Sequence, residues 1–248
     1  VYQILFFRSI GTLLFTIPLL LRSKISFLGN KKGLLILRGL VGVTSMALFF
    51  LSLKHIPTGS AVSIRYISPI FAAFLALFIL KEKIKIPQWI YFSLAFLGVI
   101  LLKGFDTQIN NIGLMYAIAS AFFSGLVFII IRKIKTSDHP LVIVNYFMVI
   151  AAVLGGLLSI NNWVTPTGLD WLLLLSLGVF GYFGQFYMTK AFQTKEVNQV
   201  APLKYIEVVF TMIIGVIWLD ESYTYTSLIG ISLILVGLSL NFFSTNKK

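Results

Sequence analysis

The chain of 248 residues is 58% hydrophobic and 11% charged, where a soluble domain carries about a quarter charged residues, so its solvent is a lipid bilayer. Its net charge of +12 is spread loop by loop along the sequence, which excludes the single basic face that nucleic acid requires. The absence of cysteine excludes disulfides and thiolate metal sites.

Nine apolar segments of about 17–22 residues follow one another, each long enough to cross about 30 Å of hydrocarbon as a helix. They are predicted near Tyr2 to Leu21, Gly33 to Leu53, Gly59 to Leu80, Pro87 to Leu102, Ile112 to Ile131, Pro140 to Ile160, Leu169 to Thr189, Val197 to Leu219 and Thr226 to Phe243. A membrane barrel would need segments of about ten residues with alternating polarity, and none occurs, so the expected fold class is an all-α polytopic membrane protein. The gaps carry turn formers: Gly29-Asn30, Pro57-Thr58-Gly59, Asn110-Asn111, His139-Pro140, Asn161-Asn162 and Pro166-Thr167-Gly168. These connections leave no room for a soluble domain.

The basic residues alternate by connection. The first, third, fifth and seventh connections and the tail hold fourteen Lys and Arg, from Arg22 and Lys24 to Lys247 and Lys248, against two in the even connections, Lys54 and Lys103. By the positive-inside rule the odd connections and the C-terminus are cytoplasmic, Val1 lies outside, and the expected location is the cytoplasmic (inner) membrane.

An offset of 139 residues lays "RYISPIFAAFLALFILKEK" from Arg65 on "KYIEVVFTMIIGVIWLDES" from Lys204, pairing Tyr66 with Tyr205, Phe71 with Phe210, Leu80 with Leu219 and Glu82 with Glu221. Ser60 to Leu102 against Gln199 to Asn241 gives 10 identities in 43 without gaps, and Gly39 and Gly42 fall on Gly178 and Gly181. The span ending at Glu82 exits into a basic connection and its mate ending at Glu221 into one with no basic residue, so the copies have opposite orientation. Inverted repeats of this kind belong to secondary transporters, whose halves rock about a site near the midplane. The first copy covers residues 1–103 with four spans and the second 112–243 with five. That count, with the outside start, predicts a further apolar helix ahead of Val1 and an inverted bundle of ten.

Three stretches carry a family likeness: "LFFRSIG" from Leu5 to Gly11, "LRGLVGVTSMALFFLSLKHIPTGSA" from Leu37 to Ala61, and the run from Ser68-Pro69-Ile70 to the "LKEK" at Leu80. On their order and spacing over two copies the chain resembles the drug/metabolite transporter superfamily, EamA type. The resemblance implies five plus five inverted helices and a permease for metabolites or amino acids, often an exporter, without an ATPase domain. The second copy departs from the family pattern in having Val208 opposite Pro69.

Charges within apolar spans are the candidate site, because each costs about 2.5–3.5 kcal/mol at a helix centre. Arg8 and Arg38 lie about 8–10 Å from their span ends, so snorkelling to the interface is the plain reading for both, with substrate gating the alternative for Arg38. Arg65 and Lys204 are repeat mates, each followed by a tyrosine (Tyr66, Tyr205), and Glu207 is the one carboxylate far from a span end. They either line a polar cavity between the halves or pair charges structurally. Tyr182, Gln185 and Phe186 share a helical face and either line the substrate path or pack.

An enzyme would need a nucleophile or base with an orienting partner. His55 has no acid nearby in sequence, and His139 follows Asp138 in the turn "SDHP", where the two side chains diverge toward solvent. The expected function is therefore a secondary transporter of a small metabolite, amino acid or organic ion, with a channel-like subunit or a non-transporting scaffold as the alternative. The expected partners are a small-molecule substrate, the bilayer, a coupling proton or ion and a second copy in a homodimer; no nucleic acid, cofactor or metal is expected.

Overall fold

A computed structural model describes residues 2–56, 58–103, 110–160, 163–207, 209–210, 213, 217 and 225–246. The expectations that rest on Val1, Pro57, Asn161, Asn162, Val208, Leu219, Glu221, Lys247 and Lys248 lie outside them. The described residues contain helices and connections and no strand. The long helices are α1 (Tyr2–Arg22) and α2 (Lys32–Ser52). After the short α3 (Thr58–Arg65) and α4 (Ser68–Leu75) come α5 (Ile86–Lys103), α6 (Asn111–Ile134), α7 (Pro140–Ser159) and α8 (Leu169–Thr194). The one-turn α9 (Val197–Val200) and α10 (Tyr225–Asn246) complete the described elements. Among them, α1, α2, α6, α7 and α8 are long and apolar enough to cross a membrane.

Two of the expected spans are not continuous. The segment from Gly59 to Leu80 breaks at Tyr66 and Ile67, α4 restarts with Pro69 in its first turn, and a wide π turn at Ala76–Leu80 ends it. The cause is local: Pro69 lacks an N–H and its ring collides with the carbonyl four residues back, that of Arg65, where α3 stops. The segment from Val197 runs as α9 and then tightens to a 3₁₀ turn, Ala201–Tyr205, around Pro202. The second copy therefore has its own break, at Pro202.

The chain forms two compact units, residues 1–47 with 130–194 and residues 48–129 with 195–248. Each takes segments from both sequence copies. In the first, Leu5, Leu13, Val43, Val144, Phe147 and Met148 make an apolar core. In the second, Tyr66, Ala95, Val99, Tyr205, Ile234 and Leu238 do so.

Residues 139 apart in sequence exchange partners within each unit. Thr16 on α1 donates to Asn145 Oδ1 on α7 at 3.2 Å, and their repeat mates, Gly155 and Phe6, also meet, a Cβ on Gly155 falling 2.9 Å from Phe6 N. In the second unit Gly98 on α5 packs on Gly230 and Ile234 of α10, while its mate Gly237 packs on Tyr91 and Ala95, the mates of those two. A contact that returns with its partners exchanged marks a two-fold axis. In both cases rising numbers on one helix meet falling numbers on the other, so mated helices are antiparallel and the copies are inverted.

Close approach is made by small residues, the usual means where lipid supplies no hydrophobic drive between helices. A Cβ built on Gly178 of α8 would sit 2.6 Å from Gly11 Cα of α1, and Thr12 donates to the Gly178 carbonyl at 3.2 Å. Gly178→Val is expected to force the two backbones apart, costing about 1–3 kcal/mol. A lower thermal midpoint of the purified protein is the readout.

Candidate functional site

In the first unit Arg38 is the largest side chain withdrawn from the surface, 1% exposed. The snorkelling reading is thereby corrected: distance along a helix does not report what packs across it, and here α7 and α8 cover the guanidinium. Its Nη2 donates to Gln185 Oε1 at 3.0 Å and its guanidinium carbon stands 4.4 Å from the centre of the Phe147 ring. Its Nε and Nη1 have no hydrogen-bond partner, and no carboxylate among the described residues pairs with it. The expected aromatic face of α8 is present. Tyr182 stacks on Phe186 at 5.9 Å with rings 25° apart, and both, like Gln185, are half-buried, whereas Phe183 and Tyr187 point outward. The same unit holds Arg8, whose Nη1 lies 3.8 Å from Met46 Sδ.

Asp138 was expected to be a solvated turn residue and is 4% exposed. Its carboxylate accepts the backbone N–H groups of Asn30 and of Lys31, the latter at 3.0 Å, just ahead of α2. Gly29 makes this possible: its φ of +61° is the left-handed region, and a Cβ there would fall 2.7 Å from Asp138 Oδ1. Gln193 of α8 donates to the backbone carbonyls of Lys135 and Asp138. His139 caps α7, its Nδ1 accepting Leu141 N–H at 3.3 Å. Burial, then the neighbouring Lys190, hold its imidazole below the ordinary range, which suits an unprotonated Nδ1.

In the second unit the two breaks bring repeat mates together. Tyr66 and Tyr205 face one another with ring centres 6.3 Å apart, and the buried Tyr205 hydroxyl has no hydrogen-bond partner. Arg65 lies over the Phe49 ring at 4.7 Å and Lys204 over Phe128 at 5.5 Å. Glu207 is near enough to Arg65, Tyr66 and Lys204 for its charge to bear on each of them. Arg65 and Lys204 are half-buried and Glu207 is exposed on the protein surface.

Of the expected site residues the structure thus gathers Arg38, Tyr182, Gln185 and Phe186 in one unit and Arg65, Tyr66, Lys204, Tyr205 and Glu207 in the other. Phe147 and Asp138 were not foreseen. Phe147 carries no signal in an apolar span, but Asp138 did: it is an acid in a connection otherwise basic. Among the described residues no cluster of His, Asp and Glu is fit for a metal.

Inverted helices broken beside partly buried charges are how a secondary transporter is built. The chain belongs to the EamA-like transporter family, which matches residues 1–103 and 111–243. It is 30% identical to the pseudopaline exporter CntI of Pseudomonas aeruginosa over 95% of this chain and 84% of that protein. It is 32% identical to human solute carrier family 35 member G1 over 88% of this chain and 65% of that one. The S-adenosylmethionine uptake transporter of Rickettsia prowazekii is 25% identical over the whole chain and 84% of its own length. A solved crystal structure matches at TM-score 0.85 and 19% identity over the whole chain and 88% of that one, a likeness of fold alone. The chain is accordingly a multi-pass membrane transporter of a small molecule and not an enzyme.

Proposed function

We propose that the protein moves a small metabolite bearing an anionic group across the cytoplasmic membrane, by alternating access between its inverted copies. The observation that carries this is Arg38. A guanidinium withdrawn from the surface, with two nitrogens unbonded and no carboxylate partner among the described residues, is costly unless a carboxylate or phosphate joins it during the cycle. Gln185 fixes its fork and Phe147 its plane, leaving the remaining donors arranged for a planar anion. Tyr182 and Phe186 supply an apolar wall for the rest of the molecule. Arg65, Tyr66, Lys204 and Tyr205 form a second polar set at the helix breaks, and a coupling proton or ion is proposed to use this set together with Glu207. The relatives' names give an exporter and an uptake transporter, so the direction of transport is not carried over from them.

The test is counterflow in proteoliposomes, screening amino acids, nucleotides and organic anions. Saturable exchange of an anionic metabolite, competed by related anions, is the expected result. Non-saturable flux would replace the transporter reading with a channel, and exchange confined to cations would remove Arg38 from the site. The fourteen basic residues in the odd connections and tail support a cytoplasmic C-terminus. A C-terminal reporter active only outside the cytoplasm would reverse this orientation.

A further inference from the structure

A cavity of about 590 Å³ opens in the second unit, away from both residue sets described above. Its walls are the segment that joins the π turn to α5, the start of α9, and Ser244 near the end of α10. These are the ends of apolar helices, so the cavity lies at headgroup depth. Lys81, Lys83 and Lys85 line it with Glu82, Glu196 and Asn198. Three ammonium groups against two carboxylates leave a net charge of +1, a match for a monoanion rather than a polyphosphate.

The wall is built rather than loose. Glu82 Oε2 accepts Val197 N–H at 2.9 Å, and Gln88 Oε1 accepts Lys85 N–H at 3.0 Å, so both ends of the lysine segment are tied down. Asn198 is 1% exposed; its Nδ2 reaches the Lys83 carbonyl at 3.4 Å, and its Oδ1 has no donor. A buried carbonyl oxygen of this kind calls for an O–H or N–H. Phe78, Ile86 and Phe243, close in sequence to the lining residues, are exposed apolar side chains.

We propose that this cavity holds a phosphodiester monoanion with hydroxyl donors, the chemistry of a glycerol-type phospholipid headgroup. The lysines meet the phosphate oxygens as point charges, Asn198 Oδ1 accepts a headgroup O–H, and the acyl chains lie along Phe78, Ile86 and Phe243. A soluble phosphate would use the same lysines but not the apolar surface.

The experiment places the full chain in phosphatidylcholine nanodiscs, titrates phosphatidylglycerol, and reads retained lipid by native mass spectrometry. Inorganic phosphate is added in a separate arm. Preferential retention of phosphatidylglycerol is expected, falling about tenfold in the triple variant K81Q/K83Q/K85Q. Asn198→Ala is expected to lower it without changing the net charge. The control K24Q/K32Q/K133Q removes the same charge elsewhere and is expected to leave retention intact. Displacement of the lipid by inorganic phosphate at millimolar concentration supports the same site with a soluble phosphate as its source. Equal loss in both triple variants, or no preference over phosphatidylcholine in the parent protein, overturns the proposal.

Discussion

Arg38→Met is expected to give a transporter that is more heat-stable and nearly inert. Methionine fills much of the same volume beside Phe147 and carries no charge, so it removes the burden of a buried guanidinium with two unbonded nitrogens. Thermal stability should rise in the absence of substrate. Transport should fall, because a buried charge contact to an anion is worth about 2–5 kcal/mol, or about thirtyfold to several thousandfold in affinity. Arg38→Lys keeps the charge but loses the planar fork that Gln185 orients, and an intermediate rate is expected. Counterflow per folded molecule and thermal melting, measured on the same preparations, check both halves. Lower stability with transport unchanged would make Arg38 an architectural charge and sink its assignment to the substrate.

Arg65→Ala and Lys204→Ala are expected to cut transport at least about tenfold per folded molecule while membrane expression stays near that of the parent. Each cation lies over an aromatic ring, Phe49 or Phe128, so truncation also loses a packing contact of about 0.5–2 kcal/mol. Normalising to folded protein separates that loss from the functional one. Glu207→Gln, which removes the carboxylate charge beside these cations, is expected to change transport per folded molecule as well. If activity tracks only the amount of folded protein in both cation variants, the pair is structural.

The long spans and the inverted repeat were legible because they rest on length, polarity and an internal offset, all properties of sequence alone. The offset that aligned Gly98 with Gly237 reappears as an exchange of contacts with Tyr91, Ala95, Gly230 and Ile234. The breaks were half legible. Pro69 was seen and its span still read as one helix, although its clash with the Arg65 carbonyl is a local rule. The second break, at Pro202, has no counterpart among the expectations drawn from the sequence, which note only that Val208 stands opposite Pro69. The surroundings of Arg38 were not legible, since Phe147 and Gln185 are over a hundred residues away and nothing in an apolar stretch announces which ring will cover a charge. Asp138 differs: it stands out in sequence as an acid in a basic connection, but its partners at Asn30 and Lys31 are brought to it by the fold.

The division of the chain into units that each draw on both copies governs how the protein is made. When a ribosome has delivered α1 and α2 to the membrane, their partners α7 and α8 are still untranslated, and the segments of the second unit up to residue 129 come out in between. At about 5–20 residues per second the wait is on the order of ten seconds. During it, Arg8, Arg38 and the exposed flanks of Gly11 and Thr12 face lipid or the insertion machinery instead of α8. The early helices therefore depend on holding by that machinery, and a chain stopped before α7 is a natural substrate for membrane quality control.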